Sequence, residues 1–303
     1  MFRRARPLAT VCVVLALAGA GCSSASGGPP GSISIVASTN VWGAIATQLA
    51  GRLIDRKVMV TSFINNPSAD PHSYEASTRN QLSIAHADLI VENGGGYDDF
   101  METMRSSAGG SATVLNAVQI SGKHAENGSL NEHVWYDFPT VIRVADRITQ
   151  FLKLHDRADA STYVANRNHL VAQLSSLIAT ERAIKGLRRG AGVAITEPVP
   201  DYLLAACGLV NRTPPEFSKA VEDGTDVSPR VLAQTLALFS GHQVQALVYN
   251  AQTTGPQTDQ VRSAAQQNSI ATVPVTETVP SGDTFYSWMR GQLDALAAAL
   301  GRG

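Results

Sequence analysis

Cysteine and histidine are scarce in this chain of 303 residues, and the familiar catalytic motifs are missing altogether. The three cysteines are Cys12, Cys22 and Cys207, and no CxxC or CxxxxH pattern joins them, which excludes a thiolate zinc site. Lys+Arg number 24 against Asp+Glu 25, with no basic stripe or tail, so nucleic acid is not the partner. Beyond the N-terminal leader no apolar run is long enough to span a membrane. There is no HExxH helix, no GxSxG elbow and no phosphate-cradling P-loop. The chain therefore reads as a binder rather than an enzyme. Hydrophobic residues at 44% are ordinary for a globular protein, so a packed core is expected.

The leader is legible residue by residue. Arg3, Arg4 and Arg6 form a positive start, and Leu8 to Ala20 is an apolar stretch of secretory length. Gly19, Ala20 and Gly21 then precede Cys22, an order that resembles the bacterial lipobox. That resemblance implies cleavage before Cys22 and lipidation of its sulfur. Residues 1–21 are thus expected to be a signal peptide, and residues 22–31 a lipidated Ser/Gly/Pro tether. Only Cys207 then remains as a thiol, so no intrachain disulfide can form. Its neighbours Leu203, Leu204 and Leu209 predict a buried structural side chain. Losing the three leader arginines leaves 21 basic against 25 acidic residues.

The mature chain, about 280 residues, is long for one core and comfortable for two lobes. Strands are expected at 33–37, 58–63, 89–92 and 113–115, with helices at 41–50, 78–86 and 98–107. A second set follows: strands at 193–196, 246–249 and 272–275, with helices at 200–206, 229–240, 256–267 and 284–300. Such alternation predicts α/β lobes with parallel sheets. Between the two sets lie a helix from Pro139 to Leu154 and a longer one from Ala158 to Lys185. In the longer one Tyr163, Leu170, Leu174, Leu177, Ile178 and Ile184 recur at helical spacing. Its length, about 42 Å at 1.5 Å per residue, suits a spine between the lobes. The expected division is an N-terminal lobe at 32–138, a helical connector at 139–189 and a C-terminal lobe at 190–303.

Four residues in short loop segments form the candidate site. His72 follows Asp70-Pro71, His133 sits in a Glu132-His133-Val134-Trp135-Tyr136-Asp137 run, Glu197 precedes Pro198, and Asp283 lies just ahead of the last helix. Two imidazoles and two carboxylates suit a borderline divalent transition ion. Two donors from each half would put that ion in the cleft between lobes. Trp135 and Tyr136 can shield the imidazole; Asp137 is either its hydrogen-bond partner or a helix cap. Asp283 is also well placed to cap, and Glu277 is the reserve carboxylate. His86, His155, His169 and His242 read as surface or packing residues, and His124 as a loop residue.

The motifs Asp70-Pro71-His72-Ser73-Tyr74-Glu75, His133-Val134-Trp135-Tyr136-Asp137, Thr196-Glu197-Pro198 and Gly282-Asp283-Thr284-Phe285-Tyr286, together with the spine, resemble the manganese/zinc ABC-transporter substrate-binding lipoproteins. The resemblance runs from about Ile33 to the C-terminus. It implies two Rossmann-like lobes joined by one long rigid helix. It further implies metal ligands at His72, His133, Glu197 and Asp283, with Mn2+ or Zn2+ (Fe2+ as a third choice) as cargo rather than cofactor. A membrane permease is the implied partner, and the implied location is extracytoplasmic, lipid-anchored to the cell membrane, as a monomer. Two departures stand out. Ser121 to Glu132 is short and nearly without His, and Tyr249 to Thr253 replaces a more acidic stretch. Two other readings of the same residues are a receptor for a metal chelate and a metallohydrolase.

Overall fold

The computed structural model describes residue 29 and residues 31–66, 74–125 and 130–301. The leader, Cys22, nearly all of the tether and His72 lie outside the described residues.

The first half begins with β1 (Ile33–Thr39), α1 (Asn40–Ala50), β2 (Val58–Ile64), α2 (Thr78–Ala85), β3 (Leu89–Glu92), α3 (Phe100–Ala108), β4 (Thr113–Asn116) and α4 (Ala117–Ser121). After α5 (Phe138–His155) comes α6 (Ala160–Arg188). The second half holds β5 (Gly192–Ile195), α7 (Asp201–Ala206), β6 (Val210–Asn211), α8 (Pro215–Glu222), α9 (Pro229–Ser240), β7 (Ala246–Asn250), α10 (Pro256–Gln267), β8 (Ala271–Val275) and α11 (Phe285–Leu300).

Each half builds a four-stranded sheet in which every pairing is parallel, ordered β2-β1-β3-β4 and β6-β5-β7-β8. In both, the chain leaves the first strand toward one edge and then returns to its other side. That reversal opens a crevice at the carboxyl ends of the central pair, the place where α/β sheets bind ligands. The fully buried β3 (LIVE) and β5 (GVAI) read as the continuous apolar runs that sheets covered on both faces require. The expected two-lobed α/β fold with its long connecting helix is what is found.

The connector is two helices back to back. Asp137 caps α5, accepting from the Thr140 backbone N–H at 3.0 Å, with Pro139 in the first turn. The spine α6 spans 29 residues and turns Tyr163, Leu170, Leu174, Leu177 and Ile184 inward, the face that its periodicity predicted. Those side chains join one core cluster with residues from both sheets, from α1, α5 and α11. The spine is also tied to the first half by polar bonds: Asn166 Nδ2 to the Leu49 carbonyl at 2.8 Å, Gln48 to Gln173 at 2.6 Å, and Arg52 Nη2 to Thr162 Oγ1 at 3.2 Å. Against the second half it has the Ser176–Tyr286 hydroxyl contact at 3.3 Å besides apolar packing.

Sequence periodicity misses three short elements, α4, α8 and β6. The two-residue β6 has both residues exposed, and an exposed strand of that length leaves no alternation to read. Among the described residues no helix is long and apolar enough to cross a membrane.

Candidate metal centre

The carboxyl ends of β5, β7 and β8 meet at a single amide. Glu197 follows β5 by two residues, Asn250 is the last residue of β7, and Glu277 follows β8 by two. Asn250 Nδ2 donates to Glu197 Oε2 and to Glu277 Oε1, each at 2.7 Å. Its backbone N–H donates to Thr196 Oγ1 at 2.9 Å, and Gln252 Oε1 accepts from the Thr278 N–H at 3.1 Å. Glu197 is 3% exposed. A buried and a half-buried carboxylate are thus drawn together, an arrangement that positive charge would favour.

The first half supplies the imidazole. His133 is 1% exposed and stands at the mouth of a 3-10 turn, Val134–Tyr136. Asn131 Oδ1 accepts from the His133 backbone N–H at 2.9 Å and lies 2.9 Å from Nδ1. An amide oxygen only accepts, so Nδ1 is the donor, and when the imidazole is neutral that leaves on Nε2 the lone pair with which it binds metals. Trp135 and Tyr97 present edges to the ring at centroid distances of 5.1 and 5.7 Å, shielding it from water. Asp137 is occupied elsewhere: besides capping α5 it pairs with Lys123 at 3.2 Å, so Asn131 is the ring's partner.

The loop after β3 brings the halves into contact. Asp98 accepts from the Asn93 and Gly94 backbone N–H groups at 2.6 and 2.7 Å, and Asn93 Nδ2 donates to the Glu132 carbonyl at 2.9 Å. Gly94 has φ +77, and a Cβ there would come within 2.2 Å of the Asn116 side chain, so the turn needs glycine. This turn delivers Tyr97, fully buried, whose hydroxyl donates to Glu277 Oε2 at 3.0 Å. Burial first, and then the Glu277 charge, push the Tyr97 phenol well above its ordinary value, so it stays a donor.

A third carboxylate, Glu222 at the end of α8, comes within reach of the same imidazole. Glu132, His133 and Glu222 each offer a donor atom within 4.8 Å of the others. Glu222 Oε1 lies 3.9 Å from His133 Nδ1. Burial chiefly, then repulsion from Glu132 and Glu197, push its carboxyl up to about 8.

Of the four candidate ligands, His72 lies outside the described residues. His133 and Glu197 are buried, and the segments that carry them meet across the halves: Asn131 Nδ2 donates to the Pro198 carbonyl at 2.8 Å. Asp283 is exposed; its Oδ1 accepts from Ser287 Oγ at 2.9 Å, and Thr284 beside it caps α11. Among the described residues it is Glu277, not Asp283, that shares a partner with Glu197. Sequence reasoning also missed Asn250, Tyr97, Asn131 and Glu222. Asn250 had a signal: it falls in the Tyr249–Thr253 stretch singled out above, which proves to stand at the site. Cys207 is buried, and burial, with the nearby Glu181 charge, pushes its thiol up to about 12, as an inert structural side chain requires.

A family model described as the periplasmic component A of a zinc-uptake complex (ZnuA) matches residues 35–299. Among curated proteins, the manganese-binding lipoprotein MntA of Halalkalibacterium halodurans is 26% identical over 171 residues, 55% of either chain. MntA of Bacillus subtilis is 29% identical over 159 residues, 50% of either chain. The chain thus spans about half the length of the curated relatives it matches. Among solved structures, a crystal structure of ZnuA superposes with TM-score 0.72 at 19% identity, covering 90% of this chain and 99% of that one. The periplasmic zinc-binding protein TroA of Treponema pallidum gives 0.71 at 19% identity, covering 89% and 99%. At such identities these likenesses speak for the fold.

Proposed function

The chain belongs to the ZnuA family of zinc-uptake components, and from that membership we propose that it captures a divalent transition ion outside the cytoplasm and delivers it to an ABC-transporter permease. The cargo is Mn2+ or Zn2+, with Fe2+ as the third choice. One observation carries the reading: two carboxylates, Glu197 and Glu277, are held by one amide in the half opposite a buried imidazole whose Nδ1 is engaged by Asn131, which leaves Nε2 as the ring atom for an ion. A divalent ion supplies the charge this donor set needs, and mixed nitrogen and oxygen donors suit manganese, iron and zinc alike.

We assign the ligands as His72, His133, Glu197 and Glu277. Glu277 takes the fourth place because it converges with Glu197 on Asn250, whereas the exposed Asp283 carboxylate accepts from Ser287. Cys22 carries the lipid that tethers the chain to the cell membrane, a reading supported by the lipobox-like leader and by the word lipoprotein in both MntA names. The same reading keeps the lobe boundaries at 32–138, 139–189 and 190–303, supported by one sheet on either side of α5 and α6, and binding rather than turnover is the chemistry assigned.

The test is metal content. Protein purified without an affinity tag and loaded with Mn2+ or Zn2+ should hold about one equivalent. His133→Ala should weaken binding tenfold or more, since it removes a direct bond to the ion. A wild-type chain that holds no stoichiometric metal after loading refutes the reading.

A further inference from the structure

Asn131 bonds to both sides of the site at once. Its Oδ1 fixes His133, through the backbone N–H and through Nδ1, both at 2.9 Å. Its Nδ2 donates at 2.8 Å to the carbonyl of Pro198, the residue after Glu197 in the other half. Its own backbone carbonyl accepts from the Tyr202 hydroxyl at 2.6 Å, and Tyr202 belongs to α7, also in the other half. The amide orientation is fixed by these partners: the nitrogen end meets a carbonyl and the oxygen end meets N–H groups.

From this geometry we infer that Asn131 is a positioning residue that couples the orientation of the His133 imidazole to the contact between the two halves. The inference rests on the metal-capture reading above. Separating the halves must break the bonds to Pro198 and Tyr202. Two of the bonds that hold Asn131 are then gone, and its amide can rotate about its side-chain torsions. Rotation removes the hydrogen-bonded acceptor from Nδ1–H and leaves the Glu222 carboxyl, 3.9 Å away, as the nearest oxygen, so the ring loses its fixed plane and its preference for one tautomer weakens, and a ligand's hold on its ion depends on both. Opening the contact thus loosens a ligand that sits in the first half, without any movement of the backbone around His133. In the reverse direction, an imidazole locked by its metal steadies Asn131 and favours the joined halves. The coupling is reciprocal because it is a linkage between two equilibria.

Two variants dissect the device. Asn131→Asp keeps oxygens to accept from His133 but sets an oxygen against the Pro198 carbonyl. Tyr202→Phe removes the bond to the Asn131 carbonyl and leaves the amide intact. Release of Mn2+ or Zn2+ from the loaded full chain to a chelator should be about tenfold faster in each. The double variant should release little faster than either single one, because both act through Asn131. Nitrogen-resolved NMR of the metal-free chain gives a readout that a merely structural residue would not move. The His133 ring should be the Nδ1–H tautomer in the wild type and in Asn131→Asp, and should lose that preference in Asn131→Ala. A wild-type ring in the Nε2–H form overturns the inference whatever the metal does. So do unchanged release rates in both single variants, or fully additive ones in the double variant. A wild-type chain with the Nδ1–H tautomer but no stoichiometric metal refutes the capture reading instead, and the coupling with it.

Discussion

At the scale of single residues, the site depends on a few amides that hold charged groups where they would not otherwise stay. Asn250 bridges Glu197 and Glu277, so Glu277→Gln should weaken metal binding tenfold or more, while Asp283→Asn, on an exposed cap, should leave it within about twofold. Competition titrations against a fluorescent chelator separate the two; the opposite ranking would return the fourth place to Asp283. Glu181 shows the same logic away from the site. It is buried on the spine, and burial chiefly, then repulsion from Asp137, push its carboxyl up to about 8, with Arg182 opposing. The folded chain therefore retains a proton there that the unfolded chain gives up near the ordinary value. Stability contributed by this group falls as pH rises between the two values, about 4.5 and 8, and is level above. Glu181→Gln should raise the melting temperature more at pH 8.5 than at pH 5. Equal shifts at both pH values would mean that the carboxyl is not held neutral.

At the scale of elements, what could be read in advance was whatever carries a period or a punctuation mark. The edges of α9 and α10 follow from Ser228-Pro229 and Gly255-Pro256, and the inward face of α6 follows from leucines spaced three and four apart. The same face makes a prediction. Leu174→Ala should cost about 2–5 kcal/mol in chemical denaturation, as deletion of a fully buried leucine does. Leu187→Ala, on the same helix but 82% exposed, should change stability by less than about 0.5 kcal/mol. The loops that carry the proposed ligands resist prediction for a physical reason. His133 and Glu197 are recognisable by type, but Asn131, Tyr97 and Asn250 matter through contacts with residues 27 to 180 positions away or through a local amide geometry that no periodicity encodes. Asp283 is ambiguous for a related reason: a carboxylate before a helix is equally good as a cap and as a ligand, and sequence alone does not show its exposure.

At the scale of the whole molecule, loops of the two halves meet through Tyr97 with Glu277 and Asn131 with Pro198, and metal binding should therefore report on the joined molecule. An ion bound only by the folded chain adds stability that grows with its concentration, about 1.4 kcal/mol for each tenfold excess over Kd. The melting temperature should rise with added Mn2+ or Zn2+ at pH 7.5. It should lose that rise below about pH 6, where imidazoles take up protons from an ordinary value near 6.5 and cease to be ligands. A metal-induced rise that persists at pH 4 would refute the imidazole ligands.

The core has a consequence for how the protein comes into being. Its largest apolar cluster runs from Ile33 to Leu300 and includes Phe285, Trp288, Met289 and Leu293 of the final helix. A chain emerging from its N-terminus cannot close that cluster until nearly the last residue has appeared. Within that cluster the final helix lies on β7 and β8 and against the spine, so the second sheet waits longest for its cover. The shared cluster therefore ties the folding of the two halves together: neither closes its part of the core without the spine and the last helix in place.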